Sequence, residues 1–254
     1  MAVTGEAAFV IDLETGEAAP MQELTFQEAG LQERADLQRW VLAHPEIVAP
    51  GLLLITSEFD QWELRDQRVA DRLDALFVDQ DGALVVAELK RDRAPDATDL
   101  QALKYGAYCS QLTLDDLRDA FARFHSVSQE QADAALLAHA PVLAEGELTG
   151  VRIRLVAGRF GPAVTSVVLW LREFNLDIGC VEVAVRGRGD GKAILSSRQV
   201  IPMPEAEDYL VRRRRREQEE EHARRGERGA SSMLCLLPPE YFNRARSFVS
   251  ESTH

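Results

Sequence analysis

Three observations predict an α/β fold with a central mixed sheet flanked by helices. Two short strands, Leu73–Asp79 and Ala83–Arg91, are apolar on both faces and flank a turn ending in Gly82. After Gly146 a strand "VRIRLVAGRF", a helix "PAVTSVVLWLREF" and a strand "DIGCVEVAV" follow one another, the pattern of a sheet covered by helices. The chain has 254 residues, of which 46% are hydrophobic and 28% charged, enough to bury one full core with extensions.

Residues 7–22 read as a short strand and turn, and 30–44 ("GLQERADLQRWVLAH") as a helix with Leu37, Trp40, Val41 and His44 along one side. Pro45 ends it. "LLLITSEF" from Leu52 is a strand, and a charged connection leads to the hairpin. A helix starting near Pro95 or Asp96 carries "DATDLQALKYGAYCSQL". Residues 114–140 read as one or two further helices with a break near Ser126–Ser128. In the later helix Val164, Val167, Val168, Leu171 and Phe174 share a face. Asp190–Gly191 turns the chain into "KAILSSRQVIPMP", and "EAEDYLVRRRRREQEEEHARR" is a charged helix.

Composition excludes several classes. Cys109, Cys180 and Cys235 form no CxxC pair, so neither a disulfide framework nor a zinc ribbon is indicated. The five histidines lack HxxxH and HExxH spacing, which argues against a zinc hydrolase. No apolar run approaches the ~18 residues of a membrane span, and the N-terminus lacks a signal layout, so a cytoplasmic protein without membrane contact is expected. The net charge of −13 argues against nonspecific coating of nucleic acid, but Arg212–Arg228 holds 8 Arg against 5 Glu. That balance of +3 leaves −16 for the rest of the chain, so any phosphate-binding surface is local.

The hairpin holds the chemistry. A three-residue loop Gln80-Asp81-Gly82 puts glycine where a type I turn plus bulge needs a left-handed residue. In that register Asp79 faces Ala83 and Asp74 lies opposite Glu88, with Lys90 on the same face. Leu76, Val78, Leu84 and Val86 are their apolar neighbours on that face. Two carboxylates side by side in such surroundings call for a cation. Asp74, Glu88 and the Leu89 carbonyl are hard oxygen donors suited to Mg²⁺ or Mn²⁺. Lys90, one of 3 lysines among 26 arginines, is then a compact ammonium that can orient a water for attack on a phosphodiester. Gln101 and Tyr105 lie four apart on one helical face and can point back at the same site.

At these residues the sequence resembles the PD-(D/E)xK nuclease superfamily, and most of all its NucS-type endonuclease branch, in the order and spacing of Asp74, Glu88, Lys90, Gln101 and Tyr105. "LQERADLQRWVLAHPEIVAPGL" is similar to that branch's lead-in helix. The resemblance covers roughly residues 28–112 and 150–186. It implies a restriction endonuclease-like αβββαβ core within residues 28–205, with a helical insertion at 113–148, an N-terminal strand and turn extension (1–27) and an Arg/Glu-rich helix and tail (206–254). It further implies a glutamate from the first helix at the site, matched to Glu33 with Asp36 and Glu46 as rivals. Leu73 stands where the motif's name places proline. The insertion and the charged helix have no counterpart in the pattern.

The expected function is a Mg²⁺- or Mn²⁺-dependent endonuclease acting on nucleic acid, with DNA favoured, in repair, restriction or defence; a homodimer is compatible with it. The rival reading is a nuclease-fold module that binds nucleic acid or a protein with little turnover. Arg212, Arg213, Arg214, Arg215 and Arg216 read either as a solvated helix face or as a phosphate-contacting arm. Trp40, Trp62 and Trp170 read as packing residues rather than base-stacking platforms, and Cys109 as a core residue.

Overall fold

The computed structural model describes residues 7–59, 63–64, 67–68, 73–94 and 98–203. Residues 1–202 make one compact unit and 203–254 a second. Trp62 and the run Arg212–Arg216 lie outside the described residues.

The first strands form a small hairpin, β1 (Phe9–Ile11) with β2 (Ala18–Pro20), and β3 (Gln22–Leu24) joins the main sheet. The predicted helix over 30–44 takes a different form. Glu33–Gln38 is a π-helical turn, in which the Leu37 N–H donates to the Gln32 carbonyl, and it runs into the short helix α1 (Arg39–Ala43). Leu37 and Val41 are buried as expected, whereas the side chain of His44 is largely exposed beside Glu46. Pro45 begins a single 3₁₀ turn that closes the segment.

The sheet is mixed. β4 (Leu52–Phe59), β7 (Leu73–Asp79) and β8 (Leu84–Arg93) run antiparallel in turn, with the two-residue strands β5 (Glu63–Leu64) and β6 (Gln67–Arg68) pairing between β4 and β7. β9 (Val151–Arg159) lies parallel to β8, and β10 (Ile178–Gly187) lies parallel to β9. β11 (Ala193–Ile201) returns antiparallel to β10 at the edge. The hairpin pairs Val78 with Leu84 and Ala75 with Ala87. Gly82 has φ +80°, the left-handed position that the three-residue loop demands. β8 runs two residues past its predicted end because Ala94 N–H still bonds the Arg159 carbonyl of β9.

Helices cover both faces. After β8, α2 (Thr98–Cys109), α3 (Leu114–His125) and α4 (Gln129–His139) lead to β9. The expected break lies between α3 and α4: Ser126 ends α3 in a left-handed conformation and Ser128 caps α4. Leu76, Val78, Leu84 and Val86 pack under these helices with Tyr105, Leu117, Phe121 and Leu136. The other hairpin face, Ala75, Phe77, Val85, Ala87 and Leu89, packs on Phe26, Leu37, Val41 and Val48. The connection from β9 to β10 is α5 (Pro162–Glu173), which lays Val164 and Val168 on Ile153, Leu155, Ile178 and Cys180.

Phe174 departs from the predicted apolar face and is 66% exposed. Helix α5 ends at Glu173 and Asn175 takes φ +62°, so Phe174 leaves the helical phase that would have buried it. Trp170 is 56% exposed and meets Phe174 edge-to-face, not the core. No helix among the described residues is long and apolar enough to cross a membrane.

Candidate active site

The site forms where the β7–β8 hairpin opens. The paired register ends at Ala75 and Ala87, one residue short of Asp74 and Glu88, and Asp74 lies near enough for its charge to act on Glu88. Past that point a side chain replaces the ladder: the Leu89 N–H donates to Asp74 Oδ2 at 2.8 Å. The Asp74 carbonyl in turn accepts from Gln38 Nε2 at 2.9 Å. Backbone groups at a fraying strand end must find partners, and here the partners fix the orientation of Asp74.

Glu88 is completely buried. Its Oε1 accepts from Lys90 Nζ at 2.7 Å, and the same ammonium donates to the Leu89 carbonyl at 3.0 Å. Its Oε2 is buried with no hydrogen-bond donor. Desolvation, joined by the charge of Asp74, raises the Glu88 pKa to about 7 despite the opposing ammonium. For Lys90, burial acts to lower the pKa, but the carboxylates of Glu88, Asp74 and Glu33 outweigh it and hold the ammonium above its ordinary value.

Glu33 reaches the site from the π-helical turn. Its Oε2 accepts from the Arg91 N–H at 3.1 Å, and its Oε1 lies 3.9 Å from Lys90 Nζ. The rivals are engaged elsewhere: Asp36 binds the Gln32 N–H and Arg39, and Glu46 pairs with His44. The π turn explains how both Glu33 and Gln38 serve the hairpin end. In an α-helix residues five apart point about 140° away from each other. Bonding from i to i+5 brings them back toward one face. Gln38 was missed in the sequence for that reason, since a helical wheel assigns it to a different side from Glu33.

From α2, Gln101 Nε2 donates to the Tyr105 hydroxyl at 3.2 Å. Tyr105 is fully buried, and burial foremost raises its pKa, with Glu88 and Asp74 adding to the effect. The phenol therefore stays protonated. Cys109, one turn beyond, is a core residue whose thiol is pushed up to about 12 by burial.

The donor set fits a hard divalent cation. Asp74 and Glu88 offer carboxylate oxygens, one of them the orphaned Oε2, and the Leu89 carbonyl keeps a second lone pair beyond the one Lys90 uses. Among the described residues no group of three or more His, Cys, Asp or Glu side chains is arranged to hold a metal, so its ligands from the chain would be two carboxylates and a carbonyl, completed by water or substrate.

No family model matches the chain, and no curated protein does. Solved structures similar to it include that of an EndoMS–dsDNA complex, at 21% identity over 59% of this chain and 44% of that one, with a TM-score of 0.34. Another is a repair endonuclease from Pyrococcus abyssi, at 20% identity over 58% and 46%, with a TM-score of 0.33. The chain spans less than half the length of either.

Proposed function

We propose that the chain is a Mg²⁺- or Mn²⁺-dependent nuclease that hydrolyses phosphodiesters, acting as an endonuclease on DNA in repair, restriction or defence. One observation supports this above the others: Asp74, Glu88 and Lys90 converge at a hairpin end, with a buried carboxylate oxygen left without a donor. A surface ion pair would not bury Glu88 completely.

A bound divalent cation supplies Lewis-acid polarisation of a phosphate oxygen. Asp74 and Glu88 would hold it with the Leu89 carbonyl. Asp74 is itself fixed by the Leu89 N–H, and Gln38 steadies its backbone. Lys90 keeps its charge at neutral pH, so it orients the attacking water and stabilises negative charge on the phosphate rather than accepting a proton. Tyr105, fully buried, keeps its phenolic proton and accepts from Gln101, so its role is to position the half-buried Gln101 amide rather than to touch the substrate. Glu33 stands beside Lys90 and restrains where the ammonium can move.

The test is cleavage of single-stranded, double-stranded, branched and mismatched DNA, and of RNA, with Mg²⁺ or Mn²⁺. Metal-dependent cutting by the wild type should fall by about 10²–10³-fold in Lys90→Ala, the cost of removing one preorganised electrostatic group. If the wild type neither cuts any substrate nor gains thermal stability with Mn²⁺, the binding-module reading replaces this one.

A further inference from the structure

We propose that Arg93 is a substrate-binding residue that grips a phosphate of the nucleic-acid strand flanking the cut, an inference that rests on the nuclease reading and names how the site holds its substrate. The observation behind it is a β-bulge. Lys90 pairs with Ala157 of β9, but the next pair is Arg93 with Arg159, three residues along β8 against two along β9. In an unbroken strand residues three apart point to opposite faces. The extra residue at Arg91–Asp92 restores the phase, so Arg93 projects from the same face as Glu88 and Lys90. It stands two paired steps beyond Lys90, about 7 Å along the strand.

Two glycines make room for this arrangement. A Cβ at Gly158, across from the bulge, would come within 3.0 Å of the Arg91 carbonyl oxygen and 3.1 Å of that of Asp92. A Cβ at Gly161 would lie 2.6 Å from Arg93 Nη2, so the guanidinium rests against bare backbone at the start of α5. Among the described residues no carboxylate pairs with Arg93, and a cation beside the first turn of a helix meets the positive end of its dipole. The side chain is solvent-exposed, and its neighbours Arg91 and Asp92 pair with each other. An exposed guanidinium on the same sheet face as Glu88 and Lys90 suits a phosphodiester oxygen, which it binds in bidentate fashion where lysine cannot. In a chain of net charge −13, a local cation of this kind is what allows a polyanion to approach.

The test measures binding of a fluorescent DNA duplex and its single strand to the full chain, in chelator, over a range of salt. Arg93→Ala should weaken binding about tenfold and reduce the slope of log K against log salt by about 0.9 for the duplex or 0.7 for the single strand, whatever the base sequence. In steady-state cleavage its KM should rise while kcat holds. Gly161→Ala, whose backbone φ of −80° accepts alanine, should displace the guanidinium and change binding in the same direction. Wild-type affinity and slope in Arg93→Ala would overturn the assignment, and a Lys90→Ala that still abolishes cutting would leave the nuclease reading standing. Weakened binding in Arg93→Ala by a chain that never cuts would keep the phosphate contact and discard catalysis. A wild type that binds neither form of DNA would overturn both.

Discussion

The two ends of the β7–β8 hairpin both gather charge, and they treat it in opposite ways. At the turn, Asp79, Asp81 and Asp177 face Arg152, Arg154 and Arg172. Asp79 Oδ1 accepts from the N–H groups of Asp81 and Ala83, and Arg152 Nη1 lies 2.7 Å from its Oδ2, an ion pair whose angle departs from that of a hydrogen bond. Three carboxylates meet three guanidiniums. At the open end, Glu33, Asp74 and Glu88 gather around the Lys90 ammonium, and Glu88 Oε2 is buried without a donor. The turn is neutralised for stability, whereas the open end holds an excess of negative charge that a cationic ligand would relieve.

The sharpest way to break this contrast is to titrate it. Folded Glu88 keeps its proton up to about pH 7, while the unfolded residue releases it near 4.5. Between those values the folded state binds more protons, so stability falls as pH rises and levels off above about pH 8. In chelator, stability measured by urea unfolding should drop by about 3 kcal/mol from pH 4.5 to pH 8, and Glu88→Gln should remove most of that slope. An equal slope in Glu88→Gln would mean that the open end holds no destabilising charge.

The turn end should respond with the opposite sign. Arg152→Ala leaves Asp79 and Asp81 without their shared guanidinium, and Asp79 is nearly buried while Arg152 is one-third exposed. Screening at the exposed side reduces the penalty below that of a fully buried pair, to about 2 kcal/mol. Cleavage per folded molecule should not change, because the substitution lies at the far end of the hairpin from Lys90. A loss of kcat in Arg152→Ala at equal folded fraction would show that the two ends are coupled.

These ends were unequally legible in the sequence. The hairpin register from Val78–Leu84 to Ala75–Ala87 could be counted because a local signal, the glycine-ended loop, sets it. The break between α3 and α4 was likewise announced by the Ser126–Ser128 stretch, where Ser128 proves to be an N-cap, whereas the left-handed conformation of Ser126 is one that serine does not signal. The bulge at Arg91–Asp92 was not readable, since what permits it is Gly158 on a strand that enters the chain far downstream. The exposure of Trp170 and Phe174 was hidden for a related reason: apolar periodicity names a face but not what covers it. Tyr105 was visible as a helix partner of Gln101, yet its complete burial depends on α3 and α4 closing over it.

The smallest effect tests the part of the site that periodicity concealed. Gln38 is buried, and its amide is the donor that holds the Asp74 carbonyl where the ladder gives out. Gln38→Ala removes one hydrogen bond and leaves that carbonyl to find another donor, a cost of about 1 kcal/mol in unfolding free energy. If the π turn exists to steady the open end, kcat should fall several-fold with KM unchanged, because Asp74 loses its backbone anchor while the substrate-facing surface stays as it was. Gln38→Glu should be worse than alanine, since a carboxylate set against a carbonyl oxygen repels where the amide donated. Equal kcat in all three proteins would make Gln38 a packing residue alone, and the open end would then owe its geometry to the hairpin rather than to the helix laid across it.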